Sequence, residues 1–370
     1  MVCDVFGNIF TNDTNNCLRG CMYLRKRVAV VLAFLVFLSI SLSGCSEDKG
    51  YIEQQSFQMG TIITDKIYGE HAKAASNEIF ERFRQIENNM SVNNEDSMVS
   101  SFNAQAGSNS VVELNADIIY ILDTAKKFSE LSDGAFDITI GPLVKEWGIM
   151  TDHPHVPTQQ KINELLKLVD YRQIKVNVKD NTAVLSIKGD SIDLGAIAKG
   201  YAADEAVRIC KKNGVKSAYI NLGGNVSVIG SKPDGTSWRI GIQNPRGTNG
   251  KYIGVLSVSD KTVVTSGDYE RFFEKNGIRY HHIIDPKTGY PSNSDIISVT
   301  IVTDKSIEAD ALSTAAFVMG YKKSVTMLKK LPGVEAIFIT KDKKVHITEG
   351  LKPYFTFIDE SGEFKYAEKG

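Results

Sequence analysis

The chain has 370 residues, of which 42% are hydrophobic and 24% charged, and its 43 basic and 44 acidic residues give a formal net charge of −1 at pH 7. This composition is that of an ordinary globular protein with a core of one or two domains. Because nucleic-acid binding depends on neutralising phosphates and the chain has no broad basic field, we expect no nucleic-acid partner.

The first predicted element is an export signal. The basic cluster RKR at 25–27 precedes an apolar run at 28–42, which is too short to span a membrane comfortably, and the sequence LSGC at 42–45 follows. This ending resembles a bacterial lipobox, whose Cys carries the lipid in the mature protein. We therefore predict an upstream segment and lipoprotein signal peptide over 1–44, and a lipidated Cys45 with its tether over 45–55. An uncleaved signal anchor is the alternative.

A lipid on Cys45 would make the membrane a partner. The expected location is the outer face of the cytoplasmic membrane or the periplasmic leaflet of an outer membrane, with palmitate among the attached lipids. Met22 stands just before the basic cluster, so translation could start at either Met1 or Met22.

The predicted leader separates the cysteines of the signal peptide from those of the mature chain. Cys3, Cys17 and Cys21 leave with it and Cys45 is lipidated, which leaves Cys210 alone in the mature chain. We therefore expect no intramolecular disulfide. Cys210 lies in a helical pattern, which predicts a small buried thiol rather than a nucleophile.

The remaining body, expected over 56–370, begins with a strand and three helices. A strand-like stretch at 61–69 leads to a helical pattern at 71–90. A second helix fits 115–134, with Asn115 as its N-cap, and a third begins at Thr158.

Beyond the third helix the pattern alternates at the period of strands. Helices interrupt it at about 198–213 and 310–331. Because strands and helices do not alternate strictly and hairpin-like pairs are frequent, we predict an α+β fold with antiparallel sheets and flanking helices. The simplest organisation is one body built of two intimately packed halves.

Two glycine-containing segments have two interpretations each. In the stretch at 190–207, Gly195 and Gly200 bracket Lys199 before a helix, which suits an anion such as a pyrophosphate but also fits an ordinary strand-turn-helix connection. The sequence NLGGN at 221–225 fits either a hairpin turn or a close approach by a ligand or another backbone.

Three other sets of residues also have two interpretations each. His281 and His282 precede a turn and suit either a general base or structural histidines. Phe136 and Trp147 could flank a planar ligand or pack in a core. In the sequence EADALSTAAF at 308–317, Asp310 could be a helix N-cap, or it could join Thr314, one turn further along, at a cation.

Taken in order, these segments resemble the ApbE family of FAD:protein FMN transferases. The segments that carry the resemblance are MGT at 59–61, a Ser-containing segment that ends in FN at 91–103, GAFD at 134–137, DLGAIAKGYAAD at 193–204, NLGGN at 221–225, VTSGDYERFF at 264–273, HHIIDPKTGYP at 281–291 and ADALSTA at 309–315. They cover nearly the whole mature chain. The resemblance implies the ApbE-like fold, which is related to the T-fold.

The resemblance also implies the chemistry. The family transfers FMN from FAD, through a phosphoester, to a Thr or Ser hydroxyl of an acceptor flavoprotein and releases AMP, with Mg²⁺ at the pyrophosphate. Asp310, Thr314 and the backbone carbonyl of Ala196 are the implied metal ligands, a set of hard oxygen donors that suits Mg²⁺. His282 and Asp310 are the implied catalytic residues. The residues implied to line the FAD site are Met59, Ala135, Phe136, Asp137, Asp193, Lys199 and Ile284.

One position departs from the family pattern. Asn93 occupies a position in the FAD site where the family often has Tyr, and an amide cannot stack on a flavin or adenine as a phenol ring can. A more open site would let water compete with the acceptor hydroxyl. The alternatives to the transferase are therefore a Mg²⁺-dependent FAD pyrophosphatase that gives FMN and AMP, and a flavin-binding lipoprotein without catalysis.

Overall fold

The structure is a computed structural model that describes residues 50–248 and 250–367. The predicted signal peptide over 1–44 and Cys45 lie outside these residues. Within the described ranges, no helix is long and apolar enough to cross a membrane.

The helices occupy both halves of the chain. Their bounds are α1 Ala72–Met90, α2 Met98–Ala104, α3 Ala116–Leu131, α4 Gly141–Trp147, α5 Gln159–Leu165, α6 Ala198–Lys212, α7 Ser306–Met319 and α8 Tyr321–Leu328. The predicted cap at Asn115 is confirmed, since its side chain accepts a hydrogen bond from the backbone N–H of Ile118. The third predicted helix begins beside Thr158 as expected, and the side chain of Thr158 caps it by accepting from the N–H of Lys161.

The strands are most frequent in the second half. They are β1 Tyr51–Gln58, β2 Thr61–Tyr68, β3 Val112–Glu113, β4 Ile174–Asn177, β5 Thr182–Leu185, β6 Ala218–Leu222, β7 Asn225–Ile229, β8 Trp238–Gln243, β9 Tyr252–Val258, β10 Thr262–Gly267, β11 Phe272–Lys275, β12 Ile278–His281, β13 Ile296–Thr303, β14 Glu335–Thr340, β15 Lys344–Ile347, β16 Phe355–Phe357 and β17 Lys365–Tyr366.

One large sheet organises the molecule. Its strand order is β1-β2-β6-β7-β10-β13-β14-β15-β17, and all neighbours are antiparallel except β15 and β17. Helices α1, α6 and α7 pack on one face and enclose the main apolar core. The small sheet β16-β9-β8 covers part of the other face and encloses a second core. The predicted α+β class with antiparallel sheets and flanking helices is confirmed.

Strand β13 shows the effect of this layering on the sequence. All eight of its residues are buried, because both faces of the central sheet are covered at this strand. A strand buried on both faces reads as a continuous apolar run rather than as an alternation. The two cores therefore share one sheet, and residues from Gly50 onward form a single unit.

Two predicted boundaries were wrong. The tether was expected to extend to residue 55, but β1 begins at Tyr51 and pairs with β2 along its whole length, from Tyr51 opposite Tyr68 to Gln58 opposite Thr61. Its polar sequence hid the strand, since an edge strand has little to bury. The helix expected over 310–331 begins at Ser306 and is divided into α7 and α8 at Gly320.

Cys210 lies where the helical pattern predicted. It is a free, fully buried cysteine in α6, and burial raises the pKa of its thiol to about 12. A thiol that stays protonated at neutral pH is a poor nucleophile, so the prediction of a buried structural thiol is confirmed.

Candidate active site

The first turns of α6 and α7 meet at the centre of the candidate site. The backbone N–H of Gly200 in α6 donates to Oδ2 of Asp310 in α7 over 2.8 Å. A Cβ atom at Gly200 would lie 2.3 Å from the carbonyl oxygen of Ser306, so the two helices approach each other too closely for any side chain there. The glycine in DLGAIAKG thus permits a direct contact between two helix N-termini.

Asp204, one turn further along α6, caps the start of α7. Its two carboxylate oxygens accept hydrogen bonds from the backbone N–H groups of Ser306 and Ile307, at 2.7 and 3.0 Å. Burial raises the pKa of Asp204 to about 6. The interpretation of Asp310 as the N-cap was therefore wrong, because a residue of the neighbouring helix caps α7 and Asp310 lies inside it. Sequence reasoning missed Asp204 although it ends the motif at 193–204.

Asp310 retains an unused acceptor. Its side chain is only 7% exposed, yet Oδ1 accepts no hydrogen bond and lies 4.0 Å from Nζ of Lys199. The same Nζ donates to the carbonyl oxygen of Gly195 over 3.2 Å. A carboxylate, an ammonium group and a carbonyl-lined loop therefore converge, and Lys199 is the cation that the loop was expected to offer a phosphate.

The donor set around Asp310 fits a hard cation. Thr314 lies one turn along the same buried helix with its side chain partly exposed, and Ala196 lies partly exposed in the loop that contains Gly195. A carboxylate, a hydroxyl and a carbonyl are ligands that Mg²⁺ accepts when substrate and water complete its octahedron. Among the described residues no three His, Cys, Asp or Glu side chains cluster as a metal site. The expected set does not require such a cluster, since Asp310 is its one carboxylate.

Two serines fix the backbone of α7 behind Asp310. Ser313 Oγ donates to the carbonyl oxygen of Asp310 over 2.9 Å, and Ser266 Oγ in β10 donates to Ser313 Oγ over 2.8 Å. These bonds attach the helix to the central sheet on the side away from Gly200. The VTSGD and ADALSTA segments thus meet through hydroxyl groups.

The two neighbouring histidines have different roles. His281 is buried, its Nε2 lies 2.9 Å from the carbonyl oxygen of Ser292, and its Nδ1 accepts the N–H of Ile283 at 3.3 Å. Since both ring nitrogens are used by the backbone, His281 is structural. Of the two, only His282 keeps a ring nitrogen that the backbone does not use, and its catalytic role stays a prediction.

His282 is held as a neutral imidazole with one free nitrogen. Its Nδ1 lies 3.3 Å from the carbonyl oxygen of Arg271, and because a carbonyl only accepts, Nδ1 carries the proton and Nε2 keeps its lone pair. Desolvation, then the neighbouring His281 and the charge of Lys199, lower the pKa of His282 to about 3. A group of this kind accepts a hydrogen bond from a hydroxyl at every pH in the physiological range.

Arg271 connects the His282 segment to the turn between β1 and β2. Its guanidinium Nη2 donates to the carbonyl oxygen of Gly60 over 2.5 Å. In the same turn the backbone N–H of Met59 donates to Oε1 of Glu87 in α1 over 2.9 Å. The MGT segment, predicted to contact FAD, therefore lies beside the segment that contains His282.

The NLGGN segment is the hairpin turn between β6 and β7. Gly224 N–H donates to Oδ1 of Asn221 over 2.9 Å. Gly223 has a φ of +59°, and a Cβ atom there would lie 2.1 Å from Oγ1 of Thr61. The hairpin interpretation is thus correct, and the close approach expected of the glycines is made by Thr61 of the MGT segment.

The GAFD segment is built into the core. Phe136 is buried in the main cluster, and Trp147 is buried in a third cluster with its Nε1 donating to the carbonyl oxygen of Gly289. Core packing is therefore the correct interpretation of both rings. Asp137 accepts hydrogen bonds from the N–H and hydroxyl of Thr139 and from the N–H of Tyr171, so both of its oxygens are occupied.

The other residues implied for the FAD site are distributed around these elements. Ala135 is buried beside Phe136, and Ile284 is buried in the third cluster. Asp193 accepts the N–H of Gly195 at 2.7 Å in the Lys199 loop, and burial raises the pKa of its carboxyl. Asn93 is exposed in the loop after α1, with its N–H donating to Ser91 Oγ.

Comparison with known proteins identifies the family of the chain. The model of the ApbE family matches residues 59–338. The chain belongs to the ApbE family. It is 38% identical over 357 residues to the FAD:protein FMN transferase of Treponema pallidum, a match that covers 92% of this chain and 97% of that protein. It is 34% identical over 301 residues to the enzyme of that name from Klebsiella pneumoniae, covering 81% of this chain and 93% of the relative.

Solved structures of ApbE proteins share the fold. The crystal structure of the ApbE protein from Thermotoga maritima superposes with a TM-score of 0.76 at 34% identity and covers 82% of this chain and 99% of its own. The flavin transferase ApbE from Vibrio cholerae gives a TM-score of 0.74 at 28% identity with the same coverage. The family resemblance and the ApbE-like fold expected from the motifs are confirmed.

Proposed function

We propose that this protein is an FAD:protein FMN transferase that moves FMN from FAD to a Thr or Ser hydroxyl of an exported or membrane flavoprotein. The observation that carries the proposal is the convergence of Asp310, Lys199 and the Gly195 loop, with the charge of Lys199 acting on His282. Relatives that carry this name match the chain over more than four fifths of its length. A cation-lined site next to a neutral base is what phosphoryl-type transfer to a hydroxyl requires.

The bond changes assign a role to each residue. The acceptor oxygen forms a bond to the phosphorus on the FMN side, the bond from that phosphorus to the bridging oxygen breaks, and AMP leaves. Nε2 of His282 accepts a hydrogen bond from the acceptor hydroxyl and thereby orients a lone pair of the hydroxyl oxygen for attack. The hydroxyl proton passes to solvent. Lys199 neutralises negative charge that develops on the departing phosphate.

Mg²⁺ is the proposed cofactor. Asp310, Thr314 and the carbonyl of Ala196 would hold it, and when bound it would supply charge neutralisation at the pyrophosphate. The Gly200 N–H fixes one oxygen of Asp310 and leaves the other without a hydrogen bond, which is the state expected of a ligand rather than of a purely structural carboxylate.

FAD pyrophosphatase activity is the second candidate function, and the exposure of Asn93 favours it. With no aromatic ring at this position, the flavin side of the site is more open to water. Asn93→Tyr is then expected to shift the ratio of free FMN to acceptor-bound FMN severalfold toward transfer. An unchanged ratio would remove this role from Asn93.

The decisive experiment separates the products. The mature protein is incubated with FAD and Mg²⁺, with and without an exported flavoprotein domain that carries an acceptor Thr. Nucleotides are separated by chromatography and the acceptor is weighed by mass spectrometry. FMN-sized mass on the acceptor, with AMP released only in its presence, supports the transferase. Release of FMN and AMP at the same rate with and without acceptor indicates the hydrolase. Binding of FAD without turnover in the presence of any metal ion indicates the binding protein.

We also propose that the protein is exported and anchored by lipid on Cys45. The support is the RKR cluster, the apolar run and the LSGC sequence of the leader. Labelled palmitate should be incorporated into the parent protein and not into Cys45→Ser, which should also leave the membrane fraction. Equal labelling of both proteins would contradict the anchor.

A further inference from the structure

An exposed apolar pair interrupts an otherwise polar surface. On the outer face of the β1–β2 hairpin, Glu53 pairs with Lys66 across the strands, as expected for a face in water. Nearer the tip, Phe57 lies opposite Ile62, and these side chains are 73% and 56% exposed. Grouped large apolar side chains left in water at one place commonly mark a binding surface.

This pair lies at the candidate active site. The hairpin turn directly beyond it contains Gly60, whose carbonyl accepts the guanidinium of Arg271. The carbonyl of Arg271 in turn holds the ring of His282. Met150, which is 47% exposed, places its Sδ 3.5 Å from Nη1 of Arg271. Met150 therefore contacts the arginine whose carbonyl holds His282, and Phe57 and Ile62 lie on the hairpin whose turn that arginine contacts.

We propose that Phe57, Ile62 and Met150, named here the tip patch, dock the acceptor protein next to its reactive hydroxyl. This inference rests on the proposed transferase function. FAD is small enough to enter the site without contacting the surface around it. An acceptor protein is larger, and it can bring its hydroxyl to His282 only if the surface next to that hydroxyl lies against the surface around His282. Exposed aromatic and aliphatic side chains are the usual anchors of such contacts.

The edge of the sheet adds a second means of contact. Among residues 50–248 and 250–367, strand β1 is the terminal strand of the large sheet, with β2 as its neighbour in the strand order. An extended acceptor segment can pair with the outer backbone of an edge strand while its side chains contact the residues on its face. The occupant we propose is therefore an extended, partly apolar segment that flanks the acceptor Thr or Ser.

The position of the N-terminus argues against a membrane as the occupant. The chain enters the described body at Gly50, at the end of β1 opposite to the tip patch, and from Tyr51 to Phe57 an extended strand covers about 20 Å. A lipid on Cys45 would be joined to Gly50 by residues 46–49 alone. With the proposed lipid on Cys45, the Tyr51 end of β1 is the end nearer the anchor along the chain, and the tip patch lies at the other end of that strand.

The test uses a double variant with a matched control. Phe57→Thr/Ile62→Thr removes the apolar pair but keeps residues that favour strands. Val178→Thr changes an apolar residue of similar exposure, 54%, in the turn between β4 and β5. Transfer of FMN to the acceptor domain is measured against acceptor concentration, and FAD affinity is measured separately by flavin fluorescence.

The expected result is a change confined to the acceptor. The double variant should raise the acceptor KM at least tenfold and leave the Kd for FAD within about twofold of the parent value, and Val178→Thr should change neither. Parent-like acceptor KM in the double variant would overturn the docking surface. An equal loss of FAD affinity would also overturn it, because the patch would then belong to the flavin site.

Failure of the proposed function is distinguishable from failure of this inference. If the parent protein transfers no FMN, direct binding of the acceptor domain is compared between parent and double variant by calorimetry, and equal affinities overturn the docking surface. A further measurement compares the binding of the parent and the double variant to vesicles of anionic phospholipid. A double variant that loses vesicle binding with an unchanged acceptor KM would assign the tip patch to the membrane and overturn the inference.

Discussion

Asp310 and Asp137 are both buried carboxylates in family motifs, but they use their oxygens differently. Asp137 accepts three hydrogen bonds, from Thr139 and Tyr171, and these bonds hold two short helical turns together. Asp310 accepts one, from Gly200, and leaves Oδ1 facing Lys199 beyond hydrogen-bond distance. A buried carboxylate with all its acceptors used contributes to the fold, whereas one with an unused oxygen is available to a ligand.

The same contrast separates the two histidines. The backbone uses both ring nitrogens of His281, whereas His282 gives one nitrogen to Arg271 and keeps the other. In each pair the residues share type and motif context, and differ in remaining hydrogen-bonding capacity. That capacity is a better indicator of chemistry here than burial or motif membership.

The largest expected effect is at Asp310. Asp310→Asn keeps a carbonyl oxygen for the Gly200 N–H but removes the charge offered to a metal, so FMN transfer should fall at least 100-fold, or about 3 kcal/mol of transition-state stabilisation. The Tm should change little. The affinity for Mg²⁺, measured by calorimetry, should fall in parallel. A variant with parent-like metal affinity would remove Asp310 from the ligand set.

The next effect is at His282. His282→Gln should lower kcat for transfer by roughly 100-fold, since it replaces the imidazole Nε2 with an amide group that is a much weaker proton acceptor. Because burial and neighbouring positive charge hold the pKa of His282 near 3, kcat of the parent should show no ionisation of this group between pH 5.5 and 8. The matched variant His281→Gln should lower the Tm and leave the pH profile unchanged. A kinetic pKa near 6.5 that vanishes in His282→Gln would contradict the neutral form.

Asp137 should show the reverse of Asp310. Asp137→Asn replaces an accepting oxygen with an amide NH₂ that faces another donor, which should lower the free energy of unfolding by about 1–3 kcal/mol. Urea denaturation measures this loss, and kcat of the folded protein should stay near the parent value. Loss of transfer with unchanged stability would instead place Asp137 in contact with FAD, as the family resemblance implies.

The smallest effect is a pH dependence at Asp204. Its pKa of about 6 in the folded protein lies above its ordinary value near 4, so protonation favours folding, and this contribution is full below pH 4 and lost as the pH rises through 6. Lowering the pH from 7 to 4.5 should therefore stabilise the parent relative to Asp204→Asn by roughly 1–2 kcal/mol. Urea denaturation at the two pH values measures the difference. A constant difference would mean that Asp204 is not the titrating group.

Much of the local structure follows directly from the sequence. The side chain of Asn115 caps α3, Cys210 lies in a helical pattern and is buried, and the glycines of NLGGN form a tight turn. These features depend on interactions within a few residues. Edge strand β1 escaped prediction because its apolar residues are interspersed with polar ones on both faces, so no clear alternation appears, and its partner, β2, supplies the pairing.

The sequence by itself determined the family, the α+β class and the identities of the candidate residues, because ordered motifs and local periodicity are properties of neighbours along the chain. Only the tertiary structure decided which of these residues keep a donor or acceptor atom that no hydrogen bond uses. The contacts that decide this are Asp204 to Ser306, Gly200 to Asp310 and Arg271 to Gly60, which join residues 102, 110 and 211 positions apart. A hydrogen bond at such separation is set by the packing of helices and strands, which no local pattern encodes.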